Sequence, residues 1–188
     1  MTAALPIDPL AEWTFHARAR NGADVCIRPL RSDDRVREIA FINSLSERTR
    51  FLRLLAPLRF LPPHLLDQFM DVDYHGRMAL IASVDNDGVE EFIGVARYGG
   101  TDDPITVEIA VTVTDAWQRQ GIARVLLAQL MKYAASRGFA RMCGFVLPEN
   151  DGMLALASSL GFNAHYDSVE NLMVITRLLE RAPALGRV

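Results

Sequence analysis

The sequence predicts an α/β domain with a central mixed β-sheet flanked by helices, and three observations predict it. Runs in which apolar and polar residues alternate, as in a half-buried strand, are interleaved with runs of helical periodicity. A polar loop with a single glycine, Gly121, stands where the most regular strand run passes into the longest amphipathic run. The 188 residues contain no repeat, low-complexity segment or sign of a second domain, so one core in one domain is expected. Residues 1–12 read as a loose tail, 13–180 as the domain and 181–188 as a frayed end.

Residues 13–19 alternate Trp13, Phe15, Ala17 and Ala19 with polar neighbours and then meet Asn21-Gly22. That dipeptide predicts a hairpin with a type I′ turn, returning as a strand over 23–27 that Arg28-Pro29 stops. Ser32-Asp33-Asp34 supplies an N-cap and early acids for a helix through about Leu45. Residues 47–59 carry Arg48, Arg50, Arg53 and Arg59 among Phe51, Leu52, Leu54 and Leu55. They read as a solvated helix face, with contact to an acidic partner or a phosphate as the functional alternative. Pro62-Pro63 opens a short helix to about Met70. Residues 77–84 and 90–98 are strands joined by a turn at Asp85-Asn86-Asp87-Gly88.

In residues 105–113 the odd positions are Ile105, Val107, Ile109, Val111 and Val113, and the even ones Thr106, Glu108, Ala110 and Thr112. Glu108 therefore projects away from the apolar face, among small neighbours. After a polar loop over 114–120, Ile122, Val125, Leu126, Leu130, Tyr133 and Ala134 fall on one helix face, and Arg137-Gly138 ends the helix. A strand over 139–146, a helix over 150–160 and strands over 162–166 and 171–178 follow.

A loop that opens a helix is an anion site, because the first-turn N–H groups are unpaired and the dipole is positive there. Gly121 lets a ligand approach the main chain, and Arg119 and Arg124 add full charges beside it. The chemistry suggested is a phosphate or pyrophosphate. No G-x-x-x-x-G-K-[ST] or G-x-G-x-x-G phosphate loop occurs in the chain.

The formal charge of −3 argues against nucleic acid as a partner. Cys26 and Cys143 sit in apolar runs and read as buried structural residues, with no metal spacing among the histidines or cysteines. Met78, Met131, Met142 and Met153 read as core filling. With no signal peptide and no membrane-length apolar run, a reduced cytoplasmic setting without membrane contact is expected. Residues 67–115 carry eleven acids against two bases, which either draw in a cationic acceptor or simply solvate loops. Lys132 is the only lysine, read as codon bias or as a lysine-modifying enzyme sparing itself.

The motif Gln118-Arg119-Gln120-Gly121-Ile122-Ala123 is weak alone. Here it follows a strand with one lone carboxylate, precedes a helix ending in Arg137-Gly138-Phe139, and is followed by Pro148-Glu149-Asn150 and Leu160-Gly161-Phe162. That ordered set resembles the GNAT superfamily of acetyl-CoA-dependent N-acyltransferases. Ile27 through Asp34, Ser44 through Arg53, and Asp73-Tyr74 before Arg77-Met78-Ala79-Leu80 are most similar to bacterial protein lysine acetyltransferases of the Pat type. The likeness runs from about Ala23 to Leu178 and covers the catalytic domain only. Such proteins often carry a cyclic-nucleotide-binding domain or an acyl-CoA synthetase-like region. Neither fits in the residues given, so direct cyclic-nucleotide control is not expected.

The resemblance implies a GNAT fold with acetyl-CoA as acyl donor and no metal. It implies that main chain at Val111 and Val113 pairs with the pantetheine arm. The N–H groups of Gln118, Arg119, Gln120, Gly121, Ile122 and Ala123 would hold the pyrophosphate beside Arg124, and Asn150 would touch the arm. Glu108 matches the general base. A lysine of pKa about 10.4 reaches its neutral form at pH 7 at a cost of roughly 4.6 kcal/mol, which is why a carboxylate there is useful. Partial burial is expected to raise the Glu108 pKa. The structural alternative is a carboxylate paired with an arginine such as Arg97.

Where many members place a tyrosine to protonate the thiolate, this chain has Ala157. Tyr74, Tyr98 and Tyr166 are possible substitutes or packing residues, and no general acid is assigned. His75 is the one histidine near the expected acceptor side. The expected function is acetyl transfer to a protein lysine ε-amine by direct attack, an acyl-CoA synthetase being one candidate substrate. The alternatives are a small-amine acetyltransferase and a non-catalytic acetyl-CoA-sensing module. The chain is expected to be a monomer or homodimer.

Overall fold

The structure, a computed structural model, describes residues 10–55 and 61–180. Arg59 and most of the two stretches read as tails lie outside the described residues. A 3₁₀ turn, Ala11–Trp13, leads into β1 (Phe15–Arg18) and β2 (Asp24–Pro29). Then come α1 (Arg35–Ser44), α2 (Glu47–Leu54), α3 (Pro63–Met70), β3 (Arg77–Asn86), β4 (Val89–Gly100) and β5 (Thr106–Val113). The second half holds α4 (Ile122–Ser136), β6 (Arg141–Val146), α5 (Asp151–Ser159), β7 (Asn163–Asp167) and β8 (Leu172–Leu178). The strands form one mixed sheet in the order β1-β2-β3-β4-β5-β6-β8-β7. Every neighbouring pair is antiparallel except β5–β6. None of the helices of the described residues is long and apolar enough to cross a membrane.

Both faces of the sheet are covered. Val107, Ile109 and Val113 of β5 pack with Ile122, Leu126 and Leu130 of α4, and Ala157 of α5 joins the same cluster. Leu127, outside the predicted stripe, is fully buried as well. The opposite face holds Leu30, Phe41, Ile42, Ile81 and Val95 under α1. Alternation along β5 puts Glu108, Ala110 and Thr112 on this second side. At Gly94 of β4 an added Cβ would lie 3.2 Å from Ile122 and 3.3 Å from Leu126, so glycine there lets the first turn of α4 settle onto the sheet.

Two local expectations are corrected. The Asn21-Gly22 hairpin is not type I′, because Gly22 alone is left-handed (φ 86°). The Ala19 N–H donates to Ala23 O at 2.9 Å, closing a three-residue loop with a left-handed glycine. The longer loop sets the Arg20 and Asn21 N–H groups against Gln120, on the far side of the sequence. Left-handed residues at both turn positions occur instead at Asp87 (φ 53°) and Gly88 (φ 82°), between the paired Asn86 and Val89. Ser32 does not cap α1 either. Ser32–Asp34 is a 3₁₀ turn, and the Asp34 carboxylate accepts the Arg31 N–H at 2.8 Å. Asp34 serves here because Arg28 holds it.

Arg28 is the anchor of this corner. Its guanidinium donates to both Asp34 oxygens at 2.7 and 2.8 Å and to both Glu90 oxygens at 2.8 and 2.7 Å. The Arg28 and Asp34 side chains are 6% and 1% exposed. Burial pushes the Asp34 carboxyl up, but the Arg28 bonds outweigh it and hold the pKa below the usual range. Arg28 also holds the Glu90 pKa low. A depressed carboxyl pKa gives stability that is present above the unfolded value, about 4, and is lost as pH falls through the folded value. Asp34→Asn leaves Arg28 short of a buried counter-charge. It is expected to lower unfolding free energy by about 3 kcal/mol at pH 7. In urea titrations the gap to the parent should narrow as pH falls from about 4 to about 2.

Candidate active site

β5 and β6 run side by side for three pairs only, Thr106↔Arg141, Val107↔Met142 and Glu108↔Cys143. Beyond Glu108, β5 stays with β4 as far as the Gly94↔Val113 pair, while β6 stays with β8 as far as Val146↔Met173. The two parallel strands therefore part, and each shows an unpaired backbone edge to the space between them. A groove of about 750 Å³ fills that space, bounded by β5, β6, α2 and the first turns of α4 and α5. It is lined by Glu108, Val111, Val113, Gln118, Arg119, Gly121, Ile122, Ala123, Arg124 and Asn150. Every site residue read from the sequence is thus brought to one place except Gln120.

Gln120 faces the β1–β2 hairpin and explains how the loop is set. Its carbonyl accepts the Arg20 N–H at 3.1 Å, and its Oε1 accepts the Asn21 N–H at 3.0 Å. Arg20 Nη1 donates to the Arg119 carbonyl at 3.2 Å. With these oxygens taken by the hairpin, the N–H groups of residues 119–124 find no acceptor among the described residues. Arg119 (φ 60°) and Gly121 (φ 87°) are both left-handed, a sequence of turns that gathers successive N–H groups into a concave nest. An added Cβ at Gly121 meets nothing within 4 Å, so the glycine answers a backbone need and leaves open space before the helix. Gln118 differs from its neighbours. Its N–H donates to Asp115 O at 3.3 Å and its side chain to Thr49 and Val113 O, so it braces the loop. Arg124 donates to the Ser159 hydroxyl at 2.7 Å, joining α4 to the end of α5. Asn150 caps α5, its Oδ1 accepting the Met153 N–H at 3.1 Å.

Glu108 is exposed in the groove, where partial burial was expected, and has no hydrogen bond or ion pair among the described residues. Arg97, the alternative partner, is bound to Glu38 and donates to Phe69 O at 2.8 Å. Across the pair, burial and then the Glu108 charge push the Cys143 thiol pKa up. The groove carries Arg20, Arg48, Arg53, Arg119 and Arg124 against Glu108, Glu149 and Asp151. It is cationic although the chain is not. The acids of residues 67–115 do not gather here; Glu108 alone of them lines the groove.

None of the three tyrosines considered as proton donors lines the groove. The Tyr74 hydroxyl donates to Leu30 O at 2.9 Å, Tyr98 to His75 O at 2.8 Å and Tyr166 to Asn171 at 2.6 Å. Burial pushes the Tyr98 pKa up. His75 lies tilted against Phe139, at 6.0 Å between ring centroids. Among the described residues, no group of His, Cys, Asp and Glu is placed to hold a metal ion.

The sequence reading missed the wall that α2 builds. Asp115 accepts the Ser46 N–H at 3.0 Å and the Ser46 and Thr49 hydroxyls at 2.8 Å each. Burial raises the Asp115 pKa, but these bonds prevail and lower it. The signal was present: Ser46 is an N-cap, its Oγ accepting the Thr49 N–H at 3.2 Å. The arginines of α2 are not all a solvated face: Arg48 is exposed, while Arg50 and Arg53 are half-buried. Arg48 and Arg53 line the groove, Arg53 stacks over Phe69, and Arg50 donates to Leu45 O at 3.1 Å.

Comparison with known proteins gives this geometry a family. A profile of the acetyltransferase (GNAT) family matches residues 44–162, more than half of the chain. The chain belongs to the GNAT acetyltransferase family. It is 40% identical over 158 residues to acetyltransferase PA5475 of Pseudomonas aeruginosa, covering 84% of this chain and 85% of that one. The GNAT domain of S. lividans PAT superposes with a TM-score of 0.82 at 27% identity, over 92% of this chain and 100% of that one. The fold is also shared with yncA of Salmonella typhimurium, solved with its cofactor acetyl-CoA (TM-score 0.62, 22% identity, 87% and 99% covered). The protein is a GNAT acetyltransferase, and the resemblance drawn from the sequence holds.

The Asp115 bonds make the α2 wall testable apart from catalysis. Asp115→Ala is expected to cost about 1–2 kcal/mol in chemical denaturation, since partly exposed charged acceptors give less than buried ones. Faster amide hydrogen exchange should be confined to Glu47–Leu54 and the loop after β5; unchanged exchange there would refute the clamp.

Proposed function

We propose that the protein transfers acetyl from acetyl-CoA to a lysine ε-amine of a protein substrate by direct attack, with Glu108 as general base. The observation that carries this reading is the unpartnered Glu108 carboxylate at the point where β5 and β6 part. In this reading the β5 edge at Val111 and Val113 pairs with the pantetheine arm. The free N–H groups of Arg119, Gln120, Gly121, Ile122 and Ala123 receive the pyrophosphate, and Arg124 adds charge. Gln118 contributes by bracing the loop. Asn150 already caps α5 through its oxygen, which leaves its amide nitrogen for the arm.

The amine nitrogen attacks the thioester carbon, the carbon–sulfur bond breaks, and the amine proton passes to Glu108 directly or through one water. The CoA sulfur departs as a thiolate, whose ordinary pKa of about 8.5 needs little help from an acid. That matches the absence of a groove-lining tyrosine among the described residues. A covalent route through cysteine is disfavoured because neither thiol lines the groove and burial pushes both thiol pKa values up. The lysine acceptor rests on the resemblance to Pat-type enzymes and on the likeness to the GNAT domain of S. lividans PAT.

Glu108→Gln keeps the shape and removes the base. It is expected to lower kcat/KM about a hundredfold or more with acetyl-CoA affinity within twofold of the parent. Unchanged turnover would reject the role. Gly121→Val forces a β-branched residue into left-handed backbone and places its methyls before the nest. We expect KM for acetyl-CoA to rise at least tenfold, with the acceptor KM little changed, in steady-state assays. Labelled acetyl-CoA supplied to a host lysate and to a panel of small amines decides the acceptor: label entering the amines and no protein would overturn the lysine assignment.

A further inference from the structure

Four guanidiniums, those of Arg28, Arg50, Arg53 and Arg97, are embedded on the α1–α2 side of the sheet, and Arg50 donates to the Leu45 carbonyl. Arg28 is saturated by Asp34 and Glu90, and Arg97 by Glu38 and the Phe69 carbonyl. Arg53 makes no hydrogen bond or ion pair with any described residue. It is half-buried in the groove wall, its guanidinium carbon 5.4 Å from the Phe69 ring centroid, with Arg97 4.4 Å from the same ring. Burial and then the Arg97 charge hold its pKa down to about 10, against the opposing pull of Glu38 and Glu108. A planar cation, fixed over an aromatic face and lacking a counter-ion, is prepared for a planar anion.

We propose that Arg53 binds a carboxylate of the acceptor beside Glu108, so that the preferred acceptor is an amine that carries a carboxylate. The inference rests on the reading of Glu108 as the reaction centre. Position argues for the acceptor over the donor. The arginines grouped with the nest are Arg119, Arg124 and the hairpin's Arg20, whereas Arg53 shares its surroundings with Glu38, Arg97 and Thr112 and feels the charge of Glu108. Charge balance argues for a carboxylate. An anionic acceptor group near Glu108 is repelled unless a cation lies between, and one unpaired guanidinium offsets one negative charge. On a protein the carboxylate is an acidic side chain flanking the lysine; on a small molecule it belongs to the amine itself.

A purely structural role for Arg53 is the rival. The Glu38 Oε2 atom is buried without a partner, beside a cavity of about 20 Å³ that Arg53 also lines. That is room for about one water, which would bridge the two groups. The rival requires Arg53 to affect stability and leave acceptor choice alone.

Isothermal titration of the CoA-saturated protein separates the two without requiring turnover. One arm compares capped pentapeptides with lysine flanked by glutamate or by glutamine. The other compares Nα-acetyl-lysine with its amide. The parent should bind the carboxylate form about tenfold or more tightly in at least one arm. Arg53→Gln should abolish that preference, Arg53→Lys should retain part of it, and acetyl-CoA affinity should be unchanged in both. Preference confined to the peptides assigns the carboxylate to a flanking side chain; preference confined to Nα-acetyl-lysine assigns it to the amine's own molecule. Equal affinities in both arms, a preference that survives Arg53→Gln, or a loss of acetyl-CoA affinity would overturn the inference. If Arg53→Gln fails to fold, the parent comparison together with Arg53→Lys decides. Failure of transfer to every lysine would reject the reading of Glu108 while the binding preference stayed measurable.

Discussion

The feature on which the site depends is that β5 and β6 stop pairing after Glu108 and Cys143. Each strand is committed to another neighbour, β5 to β4 and β6 to β8, by antiparallel ladders that run to its end. The two halves of the sheet therefore keep their own directions once the parallel contact ends. An unpaired buried backbone group costs about 1–3 kcal/mol, so two facing edges create a standing demand for hydrogen bonds. The nest at the start of α4 adds further unpaired donors at the open end. A ligand that is an extended amide chain at one end and an anion at the other answers both demands at once.

Most of this was legible in the sequence, and the misses share a cause. Alternation along 105–113 located β5 and turned Glu108 to the correct face, because period 2 is set by backbone geometry alone. Gly121 and the apolar positions of α4 located the nest for a similarly local reason. What the sequence did not disclose depends on contacts distant along the chain. The Arg20–Arg119 and Asn21–Gln120 bonds each span 99 positions, and the Asp115 clamp on Ser46 and Thr49 spans 69 and 66. Arg53 of α2 looked solvated because nothing local marks Phe69 as its floor. The Asn21-Gly22 turn was misread for the same reason: local preference favoured type I′, and the bonds to Gln120 favoured a longer loop.

Net charge proved a poor guide to the site. At −3 the chain is acidic, yet the groove is lined by five arginines and three acids. The reason is where the remaining acids are spent. Asp34 and Glu90 are taken by Arg28, Asp115 by Ser46 and Thr49, and Glu38 by Arg97. Acids that neutralise buried groups contribute little field elsewhere, whereas arginines with no ion-pair partner among the described residues sum around a concave surface.

Stability and function are held by different parts of the fold. The Arg28 network ties β2, α1 and β4 together at one corner, and the apolar cores lie on both faces of the sheet. The groove, in contrast, is held open by polar contacts that each join two elements: Arg20 to the nest, Asp115 to α2, Arg124 to α5. Such contacts fix position at modest energetic cost, so a wall can be altered without unfolding the sheet. The α2 wall can then vary while the nest and the parting of β5 from β6 stay as they are. The same separation fits what was legible: the nest follows from a short local motif, whereas the place of Arg53 over Phe69 in the groove wall depends on packing between distant elements.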